Sequence, residues 1–232
     1  MRGVEFKGNQ RPDERGFMPK RALIDHRPWL LAGILLAIAF WMLSDGRIGG
    51  VFLMALKGGS VAALAAYAWA RCRGLDARLV AAVMAIGAAG DIGMELDTVV
   101  GGGLFLVSHL VAIALYVRNR RVVLSATQNA AAVSILIGVP IAAWLLARDP
   151  LAVIYAITLA TMAATAWRSR FSRYRVGVGT LLFVASDLLI FARLGERLDG
   201  ATTSWLVWPL YYSGQLLIAT GAIRTLRSDR KS

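Results

Sequence analysis

The chain has 232 residues, of which 57% are hydrophobic and only 17% are charged, and its formal net charge is +12. Soluble domains of this size average about 45–50% apolar and about 25% charged residues, so the composition excludes an ordinary soluble globular domain. Nucleic acid is not needed to explain the positive charge, because membrane topology accounts for basic loops, and the single cysteine, Cys72, excludes an intramolecular disulfide and a Cys-cluster metal site.

Continuous apolar segments follow one another along the whole chain. A membrane-spanning helix needs about 20 mostly apolar residues. We predict spans at 29–44, 49–70, 79–95, 101–117, 129–147, 151–168, 175–193 and 203–223. The runs do not alternate at period two, which favours helices over a β-barrel. The short connections predict that consecutive helices are antiparallel neighbours, so the fold class is an all-α membrane protein, a bundle of eight transmembrane helices.

Basic residues alternate between the two sides of this predicted bundle. With eight spans, one side carries 21 Lys and Arg residues and the other carries four. Cytoplasmic loops are enriched in Lys and Arg, so both termini are predicted to be cytoplasmic. The predicted parts are a basic N-terminal tail without a signal-peptide core (1–28), the transmembrane domain (29–224) and a C-terminal tail (225–232). We expect an integral protein of a bacterial cytoplasmic membrane.

Polar side chains remain inside five of the predicted spans. They are Lys57 in helix 2, Asp91 in helix 3, His109 in helix 4, Asp187 in helix 7, and Tyr211, Tyr212 and Gln215 in helix 8. The helical rise of about 1.5 Å per residue places all of them in the outer half of the bilayer. A charge at a helix centre costs about 2.5–3.5 kcal/mol on insertion scales. We therefore expect these groups to face one another or a wet cavity.

Several structural interpretations compete with a functional one. Lys57 paired with one aspartate could merely fix helix packing, and a lone histidine often bonds a neighbouring helix. One of Tyr211 and Tyr212 must face away from the cavity, and Gln215 shares a helix face with either. Glu95 and Asp97 are predicted to meet water at the outer mouth. The glycines at 101–103 predict a tight entry into helix 4.

An internal similarity links helices 3–4 to helices 7–8. Each pair has an outward helix with a small residue before an aspartate, in "AAGD" and in "VASD", and then an inward helix with polar residues halfway. This suggests a four-plus-four duplication in which Asp91 and Asp187 are counterparts.

The same segments carry a family resemblance. "GDIGMEL", "GGGLFLVSHLVAIALYV", "LLFVASDLLIFARL" and "WPLYYSGQLLIATG" resemble the YhhN family of membrane proteins, which includes the lysoplasmalogenases. The resemblance covers about 45–225. The positions that match the family's pattern are Lys57, Gly90-Asp91, His109, Ser186-Asp187, Tyr211, Tyr212 and Gln215. One departure is Gly58, since proline often follows the lysine in the family.

The resemblance implies hydrolysis of the vinyl ether bond of lysoplasmalogens to a fatty aldehyde and a glycerophospho head group. Asp91 and Asp187 would then be the general acid and base, in an order that the sequence does not assign. Lys57 would fix their protonation or hold the phosphate. The residues expected to support water and head group are His109, Ser186, Tyr211, Tyr212 and Gln215.

Two other classes of function are compatible with the same residues. Intramembrane Asp, His and Lys also mark ion pathways, so a proton-coupled or lipid transporter is one alternative. A lipid-binding or assembly protein without catalysis is the other. We predict lysophospholipid and membrane lipids as partners, no nucleic acid, no cofactor and no metal, since one His with two Asp is a sparse ligand set and Lys57 would oppose a cation. The oligomeric state is left open.

Overall fold

The computed structural model describes residues 27–44, 46 and 49–229. Eight α-helices lie within them, as predicted. They are α1 (Arg27–Leu43), α2 (Val51–Arg71), α3 (Leu75–Leu96), α4 (Thr98–Arg118), α5 (Ala126–Ala147), α6 (Pro150–Arg168), α7 (Val178–Leu194) and α8 (Gly200–Ser228). A π-helical turn, Arg173–Gly177, precedes α7. Each predicted segment coincides with one of these helices, with ends that agree to within five residues.

The helices have the length and composition of a membrane bundle. Six of them, α2 to α7 with the π-helical turn included, are long and apolar enough to cross a membrane. The apolar helix α1 is shorter, and α8 has 29 residues but is less apolar than the others. The described part of the chain contains no β-strand beyond one isolated bridge. The described part of the chain is therefore a helical membrane bundle.

The two ends of the bundle differ in charge. The helices α2, α4, α6 and α8 each have an arginine in their last turn, and we call this the basic end. The opposite end, where α3 finishes without a basic residue in its last turn and α7 finishes with Arg193, is called the cavity end. Residues 1–26 of the predicted N-terminal tail, Arg47 and the last three residues lie outside the described residues. The cytoplasmic placement of the termini, the tail boundaries and the duplication stay predictions.

Most consecutive helices pack against each other, as predicted, but α4 and α5 do not. α4 packs against α6, and α5 packs against α6 and α7. The reason is that the α4–α5 connection lies alongside the α6–α7 connection. The amide of Arg121 donates a hydrogen bond to the carbonyl of Arg168 at 3.0 Å. The expectation of antiparallel neighbours is wrong at this one step.

The link between α3 and α4 is a single residue, Asp97. Its carboxylate accepts hydrogen bonds from the amides of Val99 and Val100, so it is an N-cap for α4. The glycines at 101–103 therefore lie inside the helix, and the predicted tight entry is wrong. Gly101 has a packing role instead, since a β-carbon added at Gly93 would lie 3.0 Å from its α-carbon. Small residues allow α3 and α4 this close approach.

Candidate active site

Asp91 lies near the cavity end of α3 and is only 2% exposed. One of its carboxyl oxygens accepts a hydrogen bond of 2.7 Å from the hydroxyl of Tyr211 on α8. The amide nitrogen of Gln215 donates to the same hydroxyl at 3.3 Å. A buried polar group needs such partners, because leaving it unpaired in a low-dielectric interior is unfavourable. Three of the predicted residues thus form one hydrogen-bonded chain.

Asp187 on α7 is held in the same manner by a tyrosine that the sequence interpretation missed. The hydroxyl of Tyr155 on α6 donates to its carboxyl oxygen at 2.8 Å. Tyr155 lies five residues into a helix that starts at the cavity end, which is about 8 Å of helical rise. The depth arithmetic that selected Asp91 and Asp187 would have selected it as well, so the signal was present in the sequence.

Lys57 on α2 lies beside this pair but does not bond to either aspartate. Its ammonium donates to the carboxylate of Glu95 at 2.6 Å, and the two side chains are 17% and 36% exposed. The alternative of a buried Lys57–aspartate pair is therefore wrong. Glu95, which was expected only to meet water, is the partner. Gly58 lies against Ile92 of α3, where any larger residue would have to displace that side chain.

A cavity of about 140 Å³ joins these groups at the cavity end. Its wall is built by α2, α3, α4, α6, α7 and α8. The helices α4 and α7, which are described over their whole length, both line the cavity and make no direct backbone contact with each other. The polar candidates on its wall are Lys57, Asp91, Tyr155, Ser186, Asp187 and Tyr211. Most of the remaining wall is apolar.

His109 lies outside this wall, although it was predicted as a site residue. Its ring is buried edge-on between the rings of Tyr155 and Phe183, with centroids 5.3 and 5.2 Å away. Neither ring nitrogen has a hydrogen-bond partner among the described residues. The structure thus places His109 against the back of Tyr155, where it can influence the tyrosine but does not touch the cavity.

The choice between the two adjacent tyrosines is settled by the rotation of α8. Tyr211 faces the cavity. The ring of Tyr212 stacks on Trp208 of the same helix, with centroids 6.0 Å apart, and its hydroxyl lies against α1. A β-carbon on Gly33 would lie only 2.8 Å from the Tyr212 hydroxyl. The prediction that Tyr212 is a site residue is wrong, because Tyr212 does not line the cavity. Ser186 lines the cavity, but its hydroxyl is engaged with the carbonyl of Val207, at 3.0 Å.

The arrangement provides two carboxyl groups that face one small space, each oriented by a phenol from another helix. One ammonium, that of Lys57, lies on the same wall. The described residues contain no group of three or more His, Cys, Asp or Glu side chains that could hold a metal ion. Two carboxyl groups in a water-poor site are a means of donating and accepting protons.

Fold and site together define a polytopic helical membrane protein with a paired-carboxyl cavity between its helices. The chain belongs to the YhhN family, whose model matches residues 52–222. This confirms the resemblance and covers every candidate site residue. No curated protein and no solved structure matches the chain significantly.

Proposed function

We propose that the chain is a membrane-embedded hydrolase that cleaves the vinyl ether bond of lysoplasmalogen-type lysophospholipids. The observation that carries the proposal is the pair Asp91 and Asp187, which line one cavity and are each held by a tyrosine. Membership of the YhhN family supports the choice of substrate class. The products are a fatty aldehyde and a glycerophospho head group.

The reaction needs one acid and one base. A proton added to the β-carbon of the vinyl ether leaves an oxocarbenium ion. Its positive charge is shared between the ether oxygen and the vinyl carbon bonded to that oxygen. Water adds to that carbon and loses a proton to a carboxylate. The hemiacetal then collapses as its C–O bond to the head group breaks. The departing oxygen takes the proton that the second carboxyl group received from water, and the hemiacetal hydroxyl gives its proton to the first carboxylate, which restores the starting protonation. Atoms balance as vinyl ether plus water giving aldehyde plus alcohol.

Asp91 and Asp187 suit the two roles because they share one cavity. Like charges repel strongly where water is scarce, so the pair carries one negative charge more readily than two. One carboxyl group is then a proton donor, while the other stabilises the cation and takes a proton from water. Tyr155 and Tyr211 fix the two carboxyl groups in position.

The remaining candidates have supporting roles. Lys57 on the cavity wall is placed to meet the phosphate of the head group, once that phosphate displaces Glu95. Gln215 steadies Tyr211, and His109 packs behind Tyr155. Tyr212, whose hydroxyl lies against Gly33 of α1 and which does not line the cavity, is assigned to the packing of α8 on α1 and has no role in the chemistry.

The proposal is tested by giving the purified protein lysoplasmenylethanolamine and, separately, an ester lysophospholipid. We expect aldehyde from the first and no fatty acid from the second. Run in heavy water, the reaction is expected to place one deuterium on the carbon next to the aldehyde, because the acid protonates that carbon. Release of fatty acid alone, or aldehyde without deuterium, contradicts the proposed mechanism.

Access to the cavity gives a second prediction. Gly102 lines the cavity, and a β-carbon added there meets no atom within 4 Å. Gly102→Phe is therefore expected to fill the mouth without straining the fold, and to lower kcat/KM roughly 10- to 100-fold, the effect of a few misplaced carbons in an apolar pocket.

The matched control is the next residue. Gly103 is exposed, and a β-carbon there also meets nothing within 4 Å, but it does not line the cavity. Gly103→Phe should keep the wild-type kcat/KM. Equal losses in both variants would show that α4 tolerates no phenylalanine here, and would remove the argument for substrate entry past Gly102.

A further inference from the structure

A second cavity lies at the basic end of the bundle, between α4 and α6. Its volume is about 190 Å³, and three arginines line it, namely Arg120, Arg121 and Arg168. The other lining residues are Tyr116, Val117, Leu124 and Thr165. The cavity therefore combines positive charge with an apolar wall, and it is separate from the aspartate pair at the cavity end.

The two loops that carry these arginines are fixed to each other. Backbone atoms of Arg120 and Ser169 form an antiparallel bridge. The Arg121 side chain donates to the carbonyl of Ser169 at 2.8 Å, and the amide of Arg170 donates to the carbonyl of Asn119 at 2.8 Å. The arginines are thus presented by an ordered frame and need little rearrangement to receive a ligand.

Two carboxylates at the basic end form ion pairs with arginines outside this cavity. Asp76 pairs with Arg118 at 3.1 Å, and Asp229 pairs with Arg170. Among the described residues, no carboxylate forms an ion pair with Arg120, Arg121 or Arg168. Three arginines that line one cavity concentrate positive charge there, which favours a bound anion.

The surroundings identify the anion as part of a lipid. Val122 and Val123 follow the arginines directly and are 99% and 83% exposed, and Tyr174 in the π-helical turn before α7 is 89% exposed. Exposed apolar and aromatic side chains next to arginines are typical of the membrane interface, where lipid phosphates lie. Basic pockets between transmembrane helices are known to take anionic head groups.

The geometry points to a binding site for the phosphate head group of an anionic glycerophospholipid, seated between α4 and α6. The phosphate would contact the three arginines, and the acyl chains would lie along the apolar wall beside Val122 and Leu124. Because α4 carries His109 and α6 carries Tyr155, a bound lipid would also stabilise the helix pair behind the candidate active site. This inference does not depend on the proposed hydrolase activity.

The test is lipid binding to the purified full chain in uncharged detergent, followed by native mass spectrometry. The probes are phosphatidylglycerol, phosphatidylcholine with the same acyl chains, and inorganic phosphate. We expect the wild-type chain to retain phosphatidylglycerol in preference to phosphatidylcholine, and inorganic phosphate not to displace it at equal concentration. Arg120→Gln and Arg168→Gln should each weaken phosphatidylglycerol binding roughly fivefold, the value of one basic residue near an anionic lipid.

Two control variants distinguish binding in this cavity from nonspecific electrostatic attraction of an anionic lipid to the basic end. Arg224→Gln removes the same charge from an exposed position at the basic end, outside the cavity, and should leave binding unchanged. Arg168→Lys keeps the charge and should keep most of the affinity, which also controls for folding. Equal retention of both lipids, an equal loss in Arg224→Gln, or full displacement by inorganic phosphate would overturn the proposal.

Discussion

Replacing either cavity aspartate by asparagine is expected to lower aldehyde release by about 10²- to 10⁴-fold, the range that a positioned general acid or base contributes. Asparagine has the same shape, and its amide oxygen can still accept the tyrosine hydrogen bond that Asp91 or Asp187 accepts now. It cannot deliver a carboxyl proton or take one from water. The rate is measured from aldehyde produced by purified Asp91→Asn and Asp187→Asn in detergent.

The control for this prediction is Asp76→Asn. It makes the same chemical change at the basic end, where Asp76 pairs with Arg118 at the surface. Exposed ion pairs contribute about 0–1 kcal/mol, so this variant should fold and hydrolyse as the wild type does. Folded Asp91→Asn and Asp187→Asn proteins that retain the wild-type rate would contradict the acid/base assignment and favour a purely structural role for the pair.

The second large effect concerns the crossing of α7 and α8. A β-carbon added at Gly214 would lie 2.7 Å from the carbonyl oxygen of Gly179, and one added at Gly179 would lie 2.8 Å from the carbonyl oxygen of Gly214. Gly214→Ala must therefore push the two helices apart. We expect it to destabilise the fold by about 1–3 kcal/mol, as overpacking does. Unfolding in detergent, followed by the helical signal in circular dichroism, measures this.

Replacing glycine by alanine is expected to stabilise the fold, and not to destabilise it, where the β-carbon has free space. At Gly103 an added β-carbon meets nothing within 4 Å, so Gly103→Ala should gain about 0.5–1 kcal/mol, because alanine loses less conformational entropy than glycine when the helix forms. Because α7 carries Asp187 and α8 carries Tyr211, Gly214→Ala is also expected to reduce hydrolysis. A Gly214→Ala protein as stable as Gly103→Ala would show that the helices do not depend on this close approach.

The helices themselves were predictable because their determinants are local. Apolar runs of about 20 residues cannot be stable in water and must form internal hydrogen bonds in lipid. The arginines that separate the runs mark the ends, as at Arg71, Arg118 and Arg168. The neighbour relation of α4 and α5 was not predictable, since it depends on two loops pairing across 48 residues of sequence, from Arg121 to Ser169.

The depth of the candidate site residues could be predicted from the sequence, but the direction in which each side chain points could not. Counting along a helix gives the height of each residue, and this places Asp91, Asp187 and Tyr211 in one layer. Lys57 was assigned correctly to that layer, but its partner Glu95 was not foreseen. The partner depends on which of several acidic side chains can reach the ammonium, which is a matter of distances between helices.

Sequence alone thus determined an eight-helix membrane bundle with paired aspartates at one level. Only the tertiary structure decided that Tyr211 and not Tyr212 faces the aspartates, and that Tyr155 completes the pair. The physical reason is rotation about the helix axis. Adjacent residues differ by about 100° around an α-helix, and a helix that is apolar on nearly every face gives no pattern from which its inward side can be read.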